Sequence, residues 1–209
     1  MRVLAIETAS EACSIALTEG DRIIAHEHRV MGRGHAEALV PMIGALPSKG
    51  RADRILVSLG PGSFTGVRIG LATARALGFA WGAEVLGYPT LALIAAQAQA
   101  LHPGEPVTVC MNGGHGEWFV QDFGADGLTA NELSSMAPAA AMAAGARNLI
   151  AGNRAEEFAA LLGDARQIIP LLPDAGQVAL VPDALLTTHL APIYGRGADA
   201  TPMALRKPA

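Results

Sequence analysis

Between residues 66 and 78 this sequence places Gly66, Gly70, Ala74 and Gly78 four residues apart. The run Thr65 to Ala80 otherwise reads as a helix, so these four form a stripe of minimal side chains along one face. Each glycine costs a helix about 1 kcal/mol relative to alanine. Three of them on one stripe require another backbone lying close against it. Two packings meet that requirement: the chain's own sheet, or the helix of a partner molecule. The partner helix is the functional expectation, and the segment His35 to Leu46, with Leu39 and Met42 on its helical pattern, is the natural neighbour in such a contact.

The rest of the chain reads as α/β. Val3-Leu4-Ala5-Ile6-Glu7 is a short apolar strand, Cys13 to Thr18 alternates, and Glu19-Gly20-Asp21 is a turn before a second hairpin strand at Arg22 to Arg29. The period then changes to a helix at 35–46, a strand at 54–59, the helix at 65–80, a strand at 84–87 and a helix from Pro89 to Ala100. About 104 residues later the order repeats. Strands fall at 107–111 and 117–121, with a turn at 125–127. A helix follows at 137–144, a strand at 148–151, a helix at 154–162, a strand at 167–169 and a helix beginning near Asp174. Leu101-His102-Pro103-Gly104-Glu105-Pro106 has the composition of a joint. Two ribonuclease-H-like halves are expected, over 1–101 and 106–196, with a tail at 197–209.

Composition narrows the function. The 209 residues carry a formal charge of −4, and 41 of them are alanine. Lysine occurs only at Lys49 and Lys207 and the arginines are scattered, so no basic run offers nucleic acid a stripe of charge. No stretch reads as a signal peptide or a membrane span. The two cysteines, Cys13 and Cys110, sit inside strand-like runs and read as reduced, buried thiols, which points to the cytoplasm.

The segment Gly60-Pro61-Gly62-Ser63-Phe64-Thr65-Gly66 joins a strand to the striped helix. It is a turn, and its functional reading is an anion site at Gly60, Gly62 and Ser63, because such a turn aims amide N–H groups outward. The familiar phosphate motifs are absent. No lysine follows for a Walker loop, Thr65 stands where the dinucleotide fingerprint needs glycine, and Pro61 breaks a nucleophile elbow. Glu7 ends the first strand; an acid there could hold a metal ion, but standing alone it reads as a solvated strand-end carboxylate. His26 and His28 share a strand face and read as a surface pair. His35 has Leu39, not histidine, four residues on, so the helical two-histidine motif is missing. No catalytic residue and no metal site is assigned.

Gly60 to Gly70 closely resembles the signature of the TsaB (YeaZ) family. So do Leu4 to Ala9 with Cys13-Ser14, Gly34-His35 with Leu39 and Pro41, Gly87 with Pro89-Thr90-Leu91, and Pro192-Ile193-Tyr194 with Arg196. The resemblance implies an actin-like ATPase (ASKHA) fold built of two ribonuclease-H-like subdomains. It further implies a non-catalytic subunit that acts with TsaD and TsaE in forming N6-threonylcarbamoyladenosine beside the tRNA anticodon. It implies a heterodimer with TsaD, a homodimer when alone, and tRNA reached only through the complex. The faces of helices 35–46 and 65–80 would meet the partner through His35, Leu39, Met42, Gly66, Gly70, Ala74 and Gly78. The chain would have no cofactor of its own, with ATP and a metal ion belonging to the partner complex. The other class of function open to this superfamily is a stand-alone ATPase or peptidase. The family pattern Asp-Ala-Arg-Arg-Gly-Glu-Val-Tyr reads Asn112 to Phe119 here, without the Asp or either Arg. Ala9 stands where the superfamily's phosphate loop has glycine, so tight ATP binding by this chain alone is not expected.

Overall fold

The computed structural model describes residues 1–195; Arg196 and the tail at 197–209 lie outside them. Ten strands form two sheets of five. The first contains β1 (Arg2–Glu7), β2 (Ala12–Glu19), β3 (Arg22–Val30), β4 (Arg54–Ser58) and β5 (Glu84–Tyr88), in the order β3-β2-β1-β4-β5. The second contains β6 (Val107–Gly114), β7 (Glu117–Phe123), β8 (Ser134–Met136), β9 (Leu149–Ala151) and β10 (Gln167–Ile169), in the order β10-β9-β6-β7-β8. Read from the other edge, the second sheet repeats the first, strand for strand. In each, a meander of three antiparallel strands is followed by two parallel ones. The repeat inferred from element order is therefore a repeat of topology.

Helices fill the spaces the strand faces leave. α1 (His35–Ala45) and α2 (Phe64–Trp81) cover one face of the first sheet, α4 (Pro138–Ala144) and α5 (Ala155–Leu162) one face of the second, and α3 (Thr90–Leu101) lies between the sheets. Alternation along β1 divides the chain into layers. Leu4 and Ile6 pack under α1 and α2, while Val3 and Ala5 face the central layer with Tyr88, Leu91 and Val107. Thr90 to Ala96 and Ala98 of α3 are buried, because both sides of this part of the helix meet a sheet. Small side chains suit that place: Ala92, Ala95, Ala96 and Ala98 let the sheets approach the helix closely.

Beyond β10 the expected helix near Asp174 is instead a short 3-10 turn at Ala175–Leu180. From there the chain runs back as a strap across the first half. Thr187 exchanges backbone hydrogen bonds with Gly87, and the Ile193 N–H donates to the Leu59 carbonyl at 2.7 Å. No helix among the described residues is long and apolar enough to cross a membrane.

Candidate functional site

The carboxyl ends of β1, β4, β6 and β9 point toward one another, which is where α/β sheets gather ligands and partners. They enclose a cleft of about 650 Å³. Its floor is Ala9, Ser10 and Glu11, its walls are the turn Pro61 to Phe64 and the hairpin Asn112 to His115, and Ile193 and Tyr194 of the strap close one side. The halves are tied across it by Asn153. Its Nδ2 donates to Glu11 Oε1 at 2.8 Å, and its Oδ1 accepts the Asn112 N–H at 2.9 Å.

An aromatic cluster marks the rim. Arg68, one helical turn after Phe64, lays its guanidinium over the Phe64 ring, 3.3 Å from the centroid. Its Nη2 donates to the Tyr194 hydroxyl at 3.0 Å, and the Tyr194 and Phe64 rings lie 5.9 Å apart. Arg75, seven residues on, donates to the Leu190 carbonyl at 2.6 Å. Both arginines of α2 are thus fastened to the strap. The i, i+4 spacing of Phe64 and Arg68 was legible; the third member, 126 residues from Arg68, was not.

The anion reading of the turn needs correction. Ser63 donates its N–H to the Ala9 carbonyl at 2.6 Å, and its hydroxyl accepts the Gly66 N–H at 3.2 Å as the cap of α2. A side chain at Gly62 would collide with Ala9, so the loop after β1 lies directly on this turn. Gly60 is buried against Ile193 and Val67, away from the cleft lining. A phosphate would have to displace Ala9 to reach the Ser63 amide. The turn is a joint between the β1–β2 loop and α2, with the Ser63 amide already committed to Ala9.

The stripe needs correction too. A Cβ at Gly66 would strike the Thr8 carbonyl, one at Gly70 would meet Thr8 Oγ1 and Val57, and one at Gly78 would strike Val85. Ala74 is fully buried. The stripe faces the chain's own β1, β4 and β5, where Thr8 also donates its hydroxyl to the Gly66 carbonyl at 2.8 Å. His35, Leu39 and Met42 are likewise turned inward; His35 Nε2 donates to the Ala12 carbonyl at 3.2 Å. None of the seven residues expected to meet a partner is on the outer surface. The outward sides of these helices carry Ala36, Val40, Pro41 and Gly44 on α1, and Ala72, Ala76, Phe79 and Ala80 on α2. Phe79 is 94% exposed and Val40 61%.

Glu7 also departs from expectation. It is fully buried, with Oε1 accepting the Ala9 N–H at 2.6 Å. Burial pushes its carboxyl up to about 7, against the lowering effect of its hydrogen bonds to Ala9, Ser58 and Tyr88. The cysteines match their reading. Both are buried and free, and burial raises Cys13 to about 11 and Cys110 to about 12.

Residues 25–165 match the family model described as TsaD: tRNA N6-adenosine threonylcarbamoyltransferase. Over 133 residues the chain is 35% identical to the Escherichia coli tRNA threonylcarbamoyladenosine biosynthesis protein TsaB, covering 60% of this chain and 56% of that one. The chain spans about half the length of the TsaB relatives from E. coli and Haemophilus influenzae that it matches. A Pseudomonas aeruginosa crystal structure, described as similar to peptidase YEAZ, superposes with a TM-score of 0.77 at 26% identity. That match covers 93% of this chain and 99% of the other. The fold is that of the actin-like ATPases, two ribonuclease-H-like units in tandem. The ethanolamine utilization protein EutJ from Carboxydothermus hydrogenoformans shares it at a TM-score of 0.51 and 12% identity, covering 87% of this chain and 90% of that one.

Proposed function

This chain belongs to the TsaD family, among its members named TsaB and YeaZ, and from that we propose that it is a non-catalytic subunit of the assembly that makes N6-threonylcarbamoyladenosine on tRNA. It acts in the cytoplasm beside TsaD and TsaE. TsaD brings the tRNA, and ATP and the metal ion belong to the partner complex. The observation that carries this reading is the outward side of α1 and α2, where Phe79 and Val40 stand in solvent between exposed alanines. Large apolar side chains grouped among small ones on adjoining helices are what a partner helix pair would cover. The same surface serves a second copy of the chain when TsaD is absent.

The cleft supports the non-catalytic role. Its turn is spent on Ala9 and on the cap of α2, and its acid Glu11 is engaged by Asn153. Reconstitution tests the proposal. TsaD and TsaE are incubated with ATP, a threonylcarbamoyl donor and tRNA, with and without this chain. Modified adenosine should form only when the chain is present, and the Phe79→Asp variant should not substitute. Equal product without the chain would overturn the proposal. So would ATP or protein hydrolysis by the purified chain that scales with its concentration and is lost in Glu11→Gln, an outcome that would favour the stand-alone hydrolase.

A further inference from the structure

Both outward helices start from the loop between β1 and β2. The Ala9 carbonyl accepts the N–H of Ser63, the cap of α2, at 2.6 Å, and the Thr8 hydroxyl donates to the Gly66 carbonyl in its first turn at 2.8 Å. On the side of α1, the Glu11 carbonyl accepts the Met31 and Gly32 N–H groups, each at 2.9 Å. The Ala12 carbonyl accepts from Nε2 of His35, the first residue of that helix, at 3.2 Å. Residues 8–12 therefore seat the beginnings of α1 and α2 together.

The second half grips this loop through Asn153, which lies between β9 and α5 in a turn pressed onto the end of β6. Gly152 has φ +115°, and a Cβ there would strike the Cys110 carbonyl, which also accepts the Arg154 N–H at 3.2 Å. The Asn153 N–H meets the Met111 sulfur at 3.4 Å. Its side chain is fixed as firmly as its backbone. The Asn112 N–H can only donate, so Oδ1 faces it at 2.9 Å. The Nδ2 amino group is then left to face the other half, where it donates to Glu11 Oε1 at 2.8 Å. A donor locked to β6 thus holds a carboxylate of the loop that seats both helices.

We propose that Asn153 is a positioning residue for partner binding: through Glu11 it fixes the loop on which α1 and α2 start, so the second sheet sets the placement of a helix pair packed on the first. The inference rests on the reading of the α1–α2 face as the partner surface. The contacts run unbroken from the end of β6 through Asn153 and Glu11 to the two helix starts. The strap fastens the flank of α2 through Arg68 and Arg75, whereas the Asn153 clasp acts where the helices begin. That role needs no ligand in the cleft.

Isosteric exchanges across the clasp test this on the full chain. Asn153→Asp keeps an acceptor for Asn112 but sets a second carboxylate against Glu11, and like charges repel. Hydrogen exchange of the Met31, Gly32 and Ser63 amides should be about tenfold faster than in the wild type. Association with TsaD in a calorimetric titration should be about tenfold weaker, a usual size for coupling between sites. Adding Glu11→Gln restores the bond with donor and acceptor reversed, and the double variant should return both readouts to within about twofold of the wild type. Should Asn153→Asp not fold, Asn153→Ala removes the bond without the repulsion and should move the same amides and the affinity in the same direction. Amides at 31, 32 and 63 that ignore the substitution overturn the proposal. So does faster exchange with unchanged TsaD affinity, or an affinity loss that Glu11→Gln does not rescue. A wild-type chain that TsaD does not bind overturns the partner reading instead, and the three amides then decide by themselves whether Asn153 holds the loop.

Discussion

Arg68 donates to the hydroxyl of Tyr194 at 3.0 Å, fastening the second turn of α2 to the end of the strap. With the guanidinium already seated on Phe64, this pair closes one side of the cleft. Arg68→Ala removes a hydrogen bond and a cation–π contact, each worth about 1 kcal/mol at an exposed site. The melting temperature should fall by a few degrees, about 2–4 °C per kcal/mol at this chain length. Hydrogen exchange over residues 187–194 should accelerate while α3 stays protected. Unchanged exchange there would mean that Thr187, Ile193 and the Arg75–Leu190 bond hold the strap without Arg68.

Gly70→Leu should lower stability. The leucine must displace Thr8 or Val57, and overpacking costs about 1–3 kcal/mol, against a helix-propensity gain of up to about 1 kcal/mol. Thermal melts should show a drop of several degrees. A raised melting temperature with lost TsaD pull-down would restore the stripe to the partner interface.

Phe79→Asp should behave in the opposite way. At 94% exposure the ring has little to lose in the monomer, so the melting temperature should hold within about 0.5 kcal/mol of stability. Removal of a central apolar anchor costs about 2 kcal/mol or more, so association with TsaD should weaken about 30-fold or more in a pull-down or calorimetric titration. Undiminished binding would place the partner elsewhere.

Stability should depend on pH through Glu7. The folded acid holds its proton up to about 7, whereas an unfolded one releases it near 4.5. Between those values the native state binds more protons, so raising the pH lowers stability, by up to about 1.4 kcal/mol per unit from this group. Glu7→Gln keeps an acceptor for Ala9 and a donor for Tyr88 without the charge. Its urea midpoint should gain on the wild type steadily from pH 5 to 7, then level off. A constant difference across that range would contradict the shift.

Cys13 and Cys110 should be silent toward a thiol reagent in the native protein and both should react in denaturant. Burial hides the sulfurs and raises their thiols to about 11 and about 12, so almost no thiolate is present at pH 8. Rapid native labelling of either would show that its strand opens.

Local physics made most of the elements legible. Leu4 and Ile6 mark a strand, Pro89 a helix start, and the glycine spacing the helix at 65–80, because backbone periodicity writes itself into side-chain spacing. The doubled order of elements was enough to expect the doubled sheet. Spacing alone could not say what faced the stripe. Gly66, Gly70 and Gly78 demand a near neighbour, but Thr8, which meets the first two, comes to them only because β1 pairs with β4, about 50 residues on. The same holds for Ser63, an open anion turn until Ala9 is brought onto its amide, and for Glu7, a strand-end acid until Tyr88 and the loop close over it. The 3-10 turn after Asp174 takes the place of a helix because Asp174 is anchored by Ser14 and His26 across the sheet. Periodicity and caps are properties of neighbours along the chain, so the sequence by itself determined the elements, their order and their apolar faces. The burial of Glu7 and the partners of the Thr8 hydroxyl, the Ser63 amide and Ser14 depend on residues more than 50 positions away, and only the tertiary structure decided them.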